Sequence, residues 1–239
     1  MKPYDNDSTK KEQVREMFDN IAPTYDTLNH TLSAGIDRWW RRVTVRTVLR
    51  GNPRRVLDIA TGTGDLAIAL ARAAEGCTVT GADLSEGMLA LAREKSQRAG
   101  TAGRTRFVRG DAERMEFADG EFDAVTVAFG VRNFGDLPTG LREMQRVLRS
   151  GGTVAVLELS IPRNPLIRWL YGLYSHSVMP LLGGAVSHDR AAYRYLPGSV
   201  EEFPSPERFA DIMAAAGFAD CKFRRLTFGT ACLYTAVKP

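Results

Sequence analysis

Hydrophobic and polar positions along this chain alternate between the spacing of buried strands and that of amphipathic helices. Five short apolar runs predict strands, at 55–59, 78–83, 105–109, 122–128 and 152–158. Segments with helical spacing lie between them, at 65–74, 85–99 and 137–147. A helix at 205–216, with Pro206 in its first turn, precedes two runs, 219–227 and 229–237, that are close enough to pair as a hairpin. We therefore predict an α/β fold: a Rossmann-like, doubly wound, mostly parallel seven-stranded sheet with a C-terminal antiparallel hairpin and helices on both faces.

The first fifty residues predict a covering element. An apolar stripe at helical spacing predicts a helix over 8–21, and Pro23 is expected to end it. The polar segment that follows, as far as Asp37, has the character of a lid. The next helix, 37–50, is basic and carries Trp39 and Trp40, which suit either a membrane interface or packing against the sheet.

A second covering element is predicted where the alternation stops. Residues 165–186 are apolar and aromatic, but Arg168, Pro180 and the pair Gly183-Gly184 interrupt them, so they do not form a spanning helix. They either form a pocket for an apolar substrate or cap the core.

Net charge, cysteine spacing and the character of the N-terminal residues limit the partners, bonds and location that the sequence predicts. The net charge of +4 is small beside 32 basic residues, so we expect no nucleic-acid partner. Cys77, Cys221 and Cys232 form no CxxC pair and have no histidine cluster around them, which predicts neither a disulfide framework nor a metal site. The N-terminal residues are polar and lack the apolar core of a signal peptide, so a cytoplasmic location is expected.

The turn after the first predicted strand, in VLDIATGTGD, has the residues of a nucleotide site. Gly62 and Gly64 remove the Cβ atoms that would keep a ligand from the backbone, and the following helix offers its free N–H groups. The spacing to Ala67 also fits a dinucleotide fingerprint. However, Asp58 and Asp65 would repel a pyrophosphate, whereas they suit the ammonium and sulfonium groups of S-adenosylmethionine.

Carboxylates also follow the next two predicted strands. Asp83 ends the second strand, where a ribose diol would be held, and Asp111, which follows the third, can accept from an adenine amino group. The alternative is that Asp58, Asp83 and Asp111 are ordinary turn or cap residues.

Several stretches together resemble one family: VREMFDNIAPTYDTLN at 14–29, VLDIATGTGD at 56–65, GADLSEGMLALAREK at 81–95, FDAVTVAFGVRNF at 122–134, LELSIP at 157–162 and YRYL at 193–196. Over nearly its whole length the chain is similar to the demethylmenaquinone methyltransferase and ubiquinone-biosynthesis C-methyltransferase family. The resemblance implies that Thr63, Asp83, Asp111 and Ala112 contact S-adenosylmethionine. It also implies that Tyr25 and the Arg132-Asn133 loop line a quinol site.

The implied domain organisation is a single methyltransferase domain, 1–239. It comprises an N-terminal helical lid (1–50), a cofactor-binding core (51–160), an apolar substrate-capping insertion (161–204) and a C-terminal helix and hairpin (205–239).

The implied reaction is methylation of a ring carbon of a prenylated hydroquinone, which requires a phenolate. Arg132 is predicted to stabilise that phenolate, because a guanidinium stays protonated and cannot serve as the base. The alternative is a structural arginine paired with Asp136. Tyr25 and Asn133 would orient the hydroxyl, and Glu158 is a candidate proton acceptor through water. The histidines are weaker candidates: His30, His176 and His188.

The chain departs from the family in two places. Ala128 stands where some relatives have a serine that touches the cofactor, and Leu159 replaces a frequent phenylalanine of the pocket. Demethylmenaquinol is the expected acceptor, with a methoxy-polyprenyl-benzoquinol as an open alternative. Peripheral contact with the inner face of the membrane and a homodimer are also expected. The competing classes are an RNA or protein methyltransferase, an NAD oxidoreductase and a non-catalytic quinone carrier.

Overall fold

The computed structural model describes residues 1–178 and 190–239. Its strands are β1 Arg55–Ile59, β2 Thr78–Asp83, β3 Thr105–Arg109, β4 Phe122–Ala128, β5 Leu148–Leu159, β6 Ala219–Leu226 and β7 Ala231–Val237. They form one sheet in the order β3-β2-β1-β4-β5-β7-β6, in which β7 runs opposite to the other six strands. The predicted fold class, including the C-terminal hairpin, is confirmed.

Helices cover the sheet and its carboxyl edge. In chain order they are α1 Lys10–Leu32, α2 Ile36–Val48, α3 Asp65–Ala73, α4 Glu86–Arg98, α5 Leu137–Val147, α6 Pro165–Leu173, α7 Arg190–Glu202 and α8 Pro206–Ala215. The central strands are buried on both faces, as parallel strands under helices must be. In β1, Val56 packs in a cluster with Trp40 of α2, whereas Leu57 faces a cluster that includes Leu141 of α5 and Phe209 of α8.

The first helix is longer than predicted. A capping box between Thr9 and Glu12 begins α1, and the helix continues through Pro23 to Leu32, so the prediction that Pro23 ends it is wrong. Residues on both sides of the proline are buried, including Ile21 and Leu28, and their packing offsets the backbone hydrogen bond that proline cannot make.

The two tryptophans of α2 have different surroundings. Trp40 is buried between α2 and the sheet, and its Nε1 donates to Thr227 Oγ1 at 2.8 Å. Trp39 points outward, with 46% of its surface exposed. Packing against the sheet is therefore correct for Trp40 alone.

The apolar stretch 165–186 is helical where the structure describes it. α6 leads into one π-helical turn, Tyr174–Val178, and residues 179–186 lie outside the described part. No helix among the described residues has the length and apolar character needed to cross a membrane.

Candidate active site

The glycine turn joins β1 to α3 at the carboxyl edge of the sheet. Both glycines have positive φ, +55° at Gly62 and +81° at Gly64, a region that favours glycine. The Gly62 N–H donates to Asp83 Oδ2 at 2.8 Å, which fixes the turn against the end of β2. A Cβ at Gly64 would stand 3.0 Å from both Ala92 and Phe107, so this glycine is also needed for packing.

A first cavity opens beside this turn. Four of the predicted cofactor residues line it: Gly62, Asp83, Asp111 and Ala112. Tyr25 and Asn133, predicted for the acceptor, line it too. The other two predicted cofactor residues, Thr63 and Gly64, do not line the first cavity.

The two carboxylates of the first cavity differ in their partners. Asp83 is enclosed and accepts from the N–H groups of Gly62 and of Ser85, the latter at 3.0 Å. Burial raises the pKa of Asp83 above its usual range, although these backbone donors oppose the shift. Asp111 Oδ2 instead pairs with Lys11 of α1 at 2.7 Å. One carboxylate is thus held by the glycine turn and the end of β2, and the other is paired with α1.

Asp58 does not face the first cavity, which corrects its predicted place among the ligand carboxylates. Its side chain is buried inside the sheet and accepts from the hydroxyls of Thr61 at 2.6 Å and Thr126 at 2.7 Å. Burial raises the pKa of Asp58 to about 6, and the two hydroxyls only partly oppose that shift. Asp58 lies within β1, so the alternative of a turn or cap residue does not describe it either.

This environment predicts the effect of Asp58→Asn on stability. A carboxyl whose pKa is raised by folding stabilises the fold while it is protonated, and that contribution is lost as the pH rises through about 6. The variant cannot ionise, so its stability relative to the natural chain should increase between about pH 4 and pH 7, by up to about 3 kcal/mol. Urea unfolding across that range measures the difference.

Asp123→Asn provides a control of opposite sign. Burial would raise the pKa of Asp123, but hydrogen bonds from Arg149 and from the backbone of Arg55 and Arg54 outweigh it and lower the pKa. This variant should lose relative stability as the pH rises out of the acid range. The same slope for both variants would contradict the account of Asp58.

Thr63 and Asp65 belong to a charge network that ties α1 to the glycine turn. The Thr63 hydroxyl donates to Asp26 of α1 at 2.5 Å, and Lys95 of α4 bridges Asp26 and Asp65. Arg41 of α2 lies 3.7 Å from Asp65. Because Asp65 is paired with two cations, it repels a phosphate less than an unpaired carboxylate would.

His30 joins the same network. Its Nδ1 lies 2.7 Å from Asp37 Oδ2, and these two residues with Asp65 bring three ligand-type atoms within 4.8 Å of one another. Arg41 and Lys95 already neutralise the two carboxylates, so the group has the charge balance of an ion-pair network rather than of a cation site. Of the other histidines, the His176 side chain and the whole of His188 lie outside the described part.

A second, larger cavity adjoins the first. The two share four lining residues: Phe18, Tyr25, Phe129 and Asn133. Its other walls are mostly apolar and come from α1, α2, the segment 171–174 and α7, among them Met17, Trp40, Tyr171 and Leu196. The cavity beside the glycine turn and the more apolar cavity beneath α1 and α2 therefore meet at one junction.

Phe129 lies at this junction in a conformation that sequence patterns do not predict. Its φ is +60°, in the left-handed region that a bulky side chain rarely adopts. Its N–H donates to Leu157 O at 2.7 Å, and its carbonyl accepts from Arg132 Nη1 at 2.6 Å. These two hydrogen bonds hold the strained residue in place.

Arg132 lines the second cavity and is buried. Its Nη1 pairs with Glu158 Oε1 at 2.6 Å, with 7% and 0% of the two side chains exposed. Burial would lower the pKa of Arg132, but Glu158 and the nearby tyrosines raise it, so the guanidinium stays charged. Asp136 instead caps α5 through the Thr139 N–H. The predicted alternative of an Arg132–Asp136 pair is therefore wrong.

Glu158 is predicted as a candidate proton acceptor, but both of its carboxylate oxygens already have partners. Besides the guanidinium, its oxygens accept from the N–H groups of Leu159 at 2.9 Å and Arg132 at 3.3 Å. It is not among the lining residues of either cavity. Glu158 therefore positions Arg132.

Two residues of α7 that sequence reasoning missed support the Arg132-Asn133 loop. The Tyr195 hydroxyl donates to Asn133 Oδ1 at 3.1 Å, and Arg132 Nε donates to Ser199 Oγ at 3.3 Å. The available signal was their spacing of four residues, which places both on one helix face.

Burial raises the pKa of Tyr25 at the junction, so its phenol is a neutral hydrogen-bond donor at neutral pH.

Comparison with known proteins decides the family. Residues 6–238 match the model of the ubiE/COQ5 methyltransferase family. The chain belongs to this family. It is 48% identical over 238 residues to a demethylmenaquinone methyltransferase of Bacteroides fragilis, covering 100% of this chain and 97% of that one. It is 47% identical to the ubiquinone/menaquinone biosynthesis C-methyltransferase UbiE of Geobacter sulfurreducens, covering 96% and 90%.

Solved structures agree on the fold of this family member. The [4+2]-cyclase SpnF superposes with a TM-score of 0.73 at 20% identity, covering 97% of both chains. Since that protein is a cyclase, the fold alone does not determine the reaction. The two departures lie at the cavities: Ala128 lines the first, where it can offer only main-chain polar atoms, and Leu159 lines the second.

Proposed function

We propose that this protein methylates a ring carbon of a prenylated hydroquinone with S-adenosylmethionine, and that the acceptor is demethylmenaquinol. The junction of the two cavities at Tyr25, Phe129 and Asn133 carries the proposal. A donor in the first cavity and an acceptor in the second would meet there, as direct transfer requires. The names of the relatives supply the acceptor class.

The residues of the first cavity suit the donor. Gly62 lets a ligand approach the backbone, and Asp83, with two backbone donors already bound, retains lone pairs for a ribose diol. Asp111 and Ala112 would contact the adenine. Thr63 would contact the donor only if its hydroxyl left Asp26. When bound, S-adenosylmethionine supplies an electrophilic methyl group on its sulfonium sulfur.

The residues of the second cavity would activate the acceptor. A phenol has a pKa of about 10, so formation of a phenolate near pH 7 requires several kcal/mol of stabilisation. Arg132 would stabilise the developing oxyanion, and Glu158, Ser199 and the Phe129 carbonyl hold it in place. Tyr25, as a neutral phenol, and the Asn133 amide would orient the hydroxyl.

A ring carbon of the phenolate would form a bond to the methyl carbon as the bond from methyl to sulfur breaks, with S-adenosylhomocysteine as the second product. Loss of the proton from that ring carbon would restore aromaticity, so one proton would be released per turnover. The apolar walls of the second cavity would exclude water and hold a prenyl tail.

Methyl transfer to two chemically reduced acceptors tests the proposal. A short-chain demethylmenaquinol and a methoxy-polyprenyl-benzoquinol are supplied with labelled S-adenosylmethionine, and the extracted lipids are resolved by mass. Labelled product from the naphthoquinol is expected. Product from both would make the enzyme dual, whereas product from neither, with donor binding intact, would overturn the acceptor class and return RNA and protein acceptors to consideration.

A further inference from the structure

One face of α6 is an exposed apolar stripe. Trp169, Leu170 and Leu173 follow Leu166 by three, four and seven residues, and half or more of each of the four side chains is exposed, as in Trp169 at 64%. Tyr171, which belongs to the same helix, lines the second cavity. A surface helix normally turns such a stripe inward, so an outward one marks an interaction site.

Two further exposed aromatic residues flank the same cavity. Trp39 lies on α2 next to Trp40, a lining residue, and Phe228 lies between the lining residues Thr227 and Thr230. Phe228 is 80% exposed with φ +56°, a strained conformation for a bulky residue in a turn. The hydrogen bond from Trp40 to Thr227 connects the two elements. We call the six exposed residues the mouth surface: Trp39, Leu166, Trp169, Leu170, Leu173 and Phe228.

The exposed charge on α2 and α6, the two helices of the mouth surface, has one sign. Arg38, Arg42 and Arg46 are exposed on α2, and none forms an ion pair within residues 1–178 and 190–239. The one acidic residue of α2, Asp37, is buried, and α6 contains no acidic residue. The two helices together present exposed tryptophans, leucines and unpaired arginines. This is the composition of a surface that lies in an anionic lipid interface.

We propose that the mouth surface docks on an anionic phospholipid bilayer, so that a prenyl tail passes from the hydrocarbon into the second cavity without crossing water. This inference rests on the proposed function for its substrate and adds the surface through which that substrate enters. A second copy of the chain fits the charge less well. A twofold contact across this face would bring the arginines of both copies together.

Vesicle sedimentation with the full chain tests the docking. Vesicles of phosphatidylcholine and phosphatidylglycerol in equal parts, without quinol, should bind the protein, and added salt should weaken binding. The double variant Trp169→Ser/Leu170→Ser should lower the partition coefficient by about 30-fold, because two exposed apolar side chains no longer insert. Both positions are exposed, so its thermal unfolding should match that of the natural chain.

Charge variants separate the two contributions. Arg42→Gln/Arg46→Gln should weaken binding to the mixed vesicles about tenfold and leave binding to pure phosphatidylcholine nearly unchanged. Arg72→Gln/Arg98→Gln is the matched control. Both of those arginines are exposed near the ends of α3 and α4, at the opposite edge of the sheet, and their loss should change neither value.

Turnover distinguishes failure of this inference from failure of the proposed function. The Trp169→Ser/Leu170→Ser variant should methylate a water-soluble short-chain quinol normally and a vesicle-embedded polyprenyl quinol at least about tenfold more slowly. Vesicle binding without any turnover would keep the docking surface and overturn the function. Turnover without vesicle binding, or a dimer in solution that this variant dissociates, would overturn the docking surface.

Discussion

Arg132→Ala should lower the turnover number for methyl transfer by about 10²- to 10³-fold at saturating substrates, the usual effect of removing one donor to a developing oxyanion. Arg132 is a buried cation that lines the second cavity, and Glu158, Ser199 and Phe129 hold it. The affinity for S-adenosylmethionine should change little, because Arg132 does not line the first cavity. Steady-state kinetics together with calorimetric binding measure both quantities.

The stability of this variant needs a matched control, because the substitution leaves Glu158 charged and buried without its partner. That loss should cost about 3–5 kcal/mol in the free energy of unfolding. Arg132→Ala/Glu158→Gln removes the unpaired charge and should recover much of the stability but none of the turnover. If the double variant regained both, Arg132 would be a structural residue and phenolate stabilisation would have to come from elsewhere.

Asp83→Asn should raise the dissociation constant for S-adenosylmethionine by about 10- to 100-fold, since a charged acceptor contributes more to each hydrogen bond than a neutral one. Asp83 is the enclosed carboxylate of the first cavity and contacts the glycine turn directly. Asp119→Asn is the control, because that side chain is 80% exposed. Unchanged affinity in Asp83→Asn, measured by titration calorimetry, would refute the ribose assignment.

Much of the fold was predictable because its strands are short apolar runs between polar turns, and the order of the elements leaves few topologies. The failures arise where tertiary packing decides. The continuation of α1 through Pro23 depends on the burial of Ile21 and Leu28 against other elements. Local sequence contains the helix breaker but not the packing that offsets it.

The site was predictable in part for the same reason. Gly62, Asp83 and Asp111 meet because the carboxyl ends of parallel strands share one edge, a rule that needs only the strand order. Asp58 follows the same pattern but lies in mid-sheet, and only three-dimensional contacts with Thr61 and Thr126 distinguish it.

Long-range partners account for other features of the site that local sequence could not predict. Glu158 is separated from Arg132 by 26 residues and Ser199 by 67 residues, so no local pattern connects them. The tie between Thr63 and Asp26, across 37 residues, is of the same kind. Such partners decide whether a predicted ligand residue faces a cavity or another side chain.

The most direct test of the central claim is the position of the transferred methyl group. The protein is supplied with S-adenosylmethionine that carries an isotopically labelled methyl carbon and with a reduced demethylnaphthoquinol, and the product is analysed by nuclear magnetic resonance. We predict that all of the label is bonded to the ring carbon next to the prenyl chain. Label on a phenolic oxygen, or none in the quinol while S-adenosylhomocysteine accumulates, would contradict carbon methylation at the junction of the two cavities.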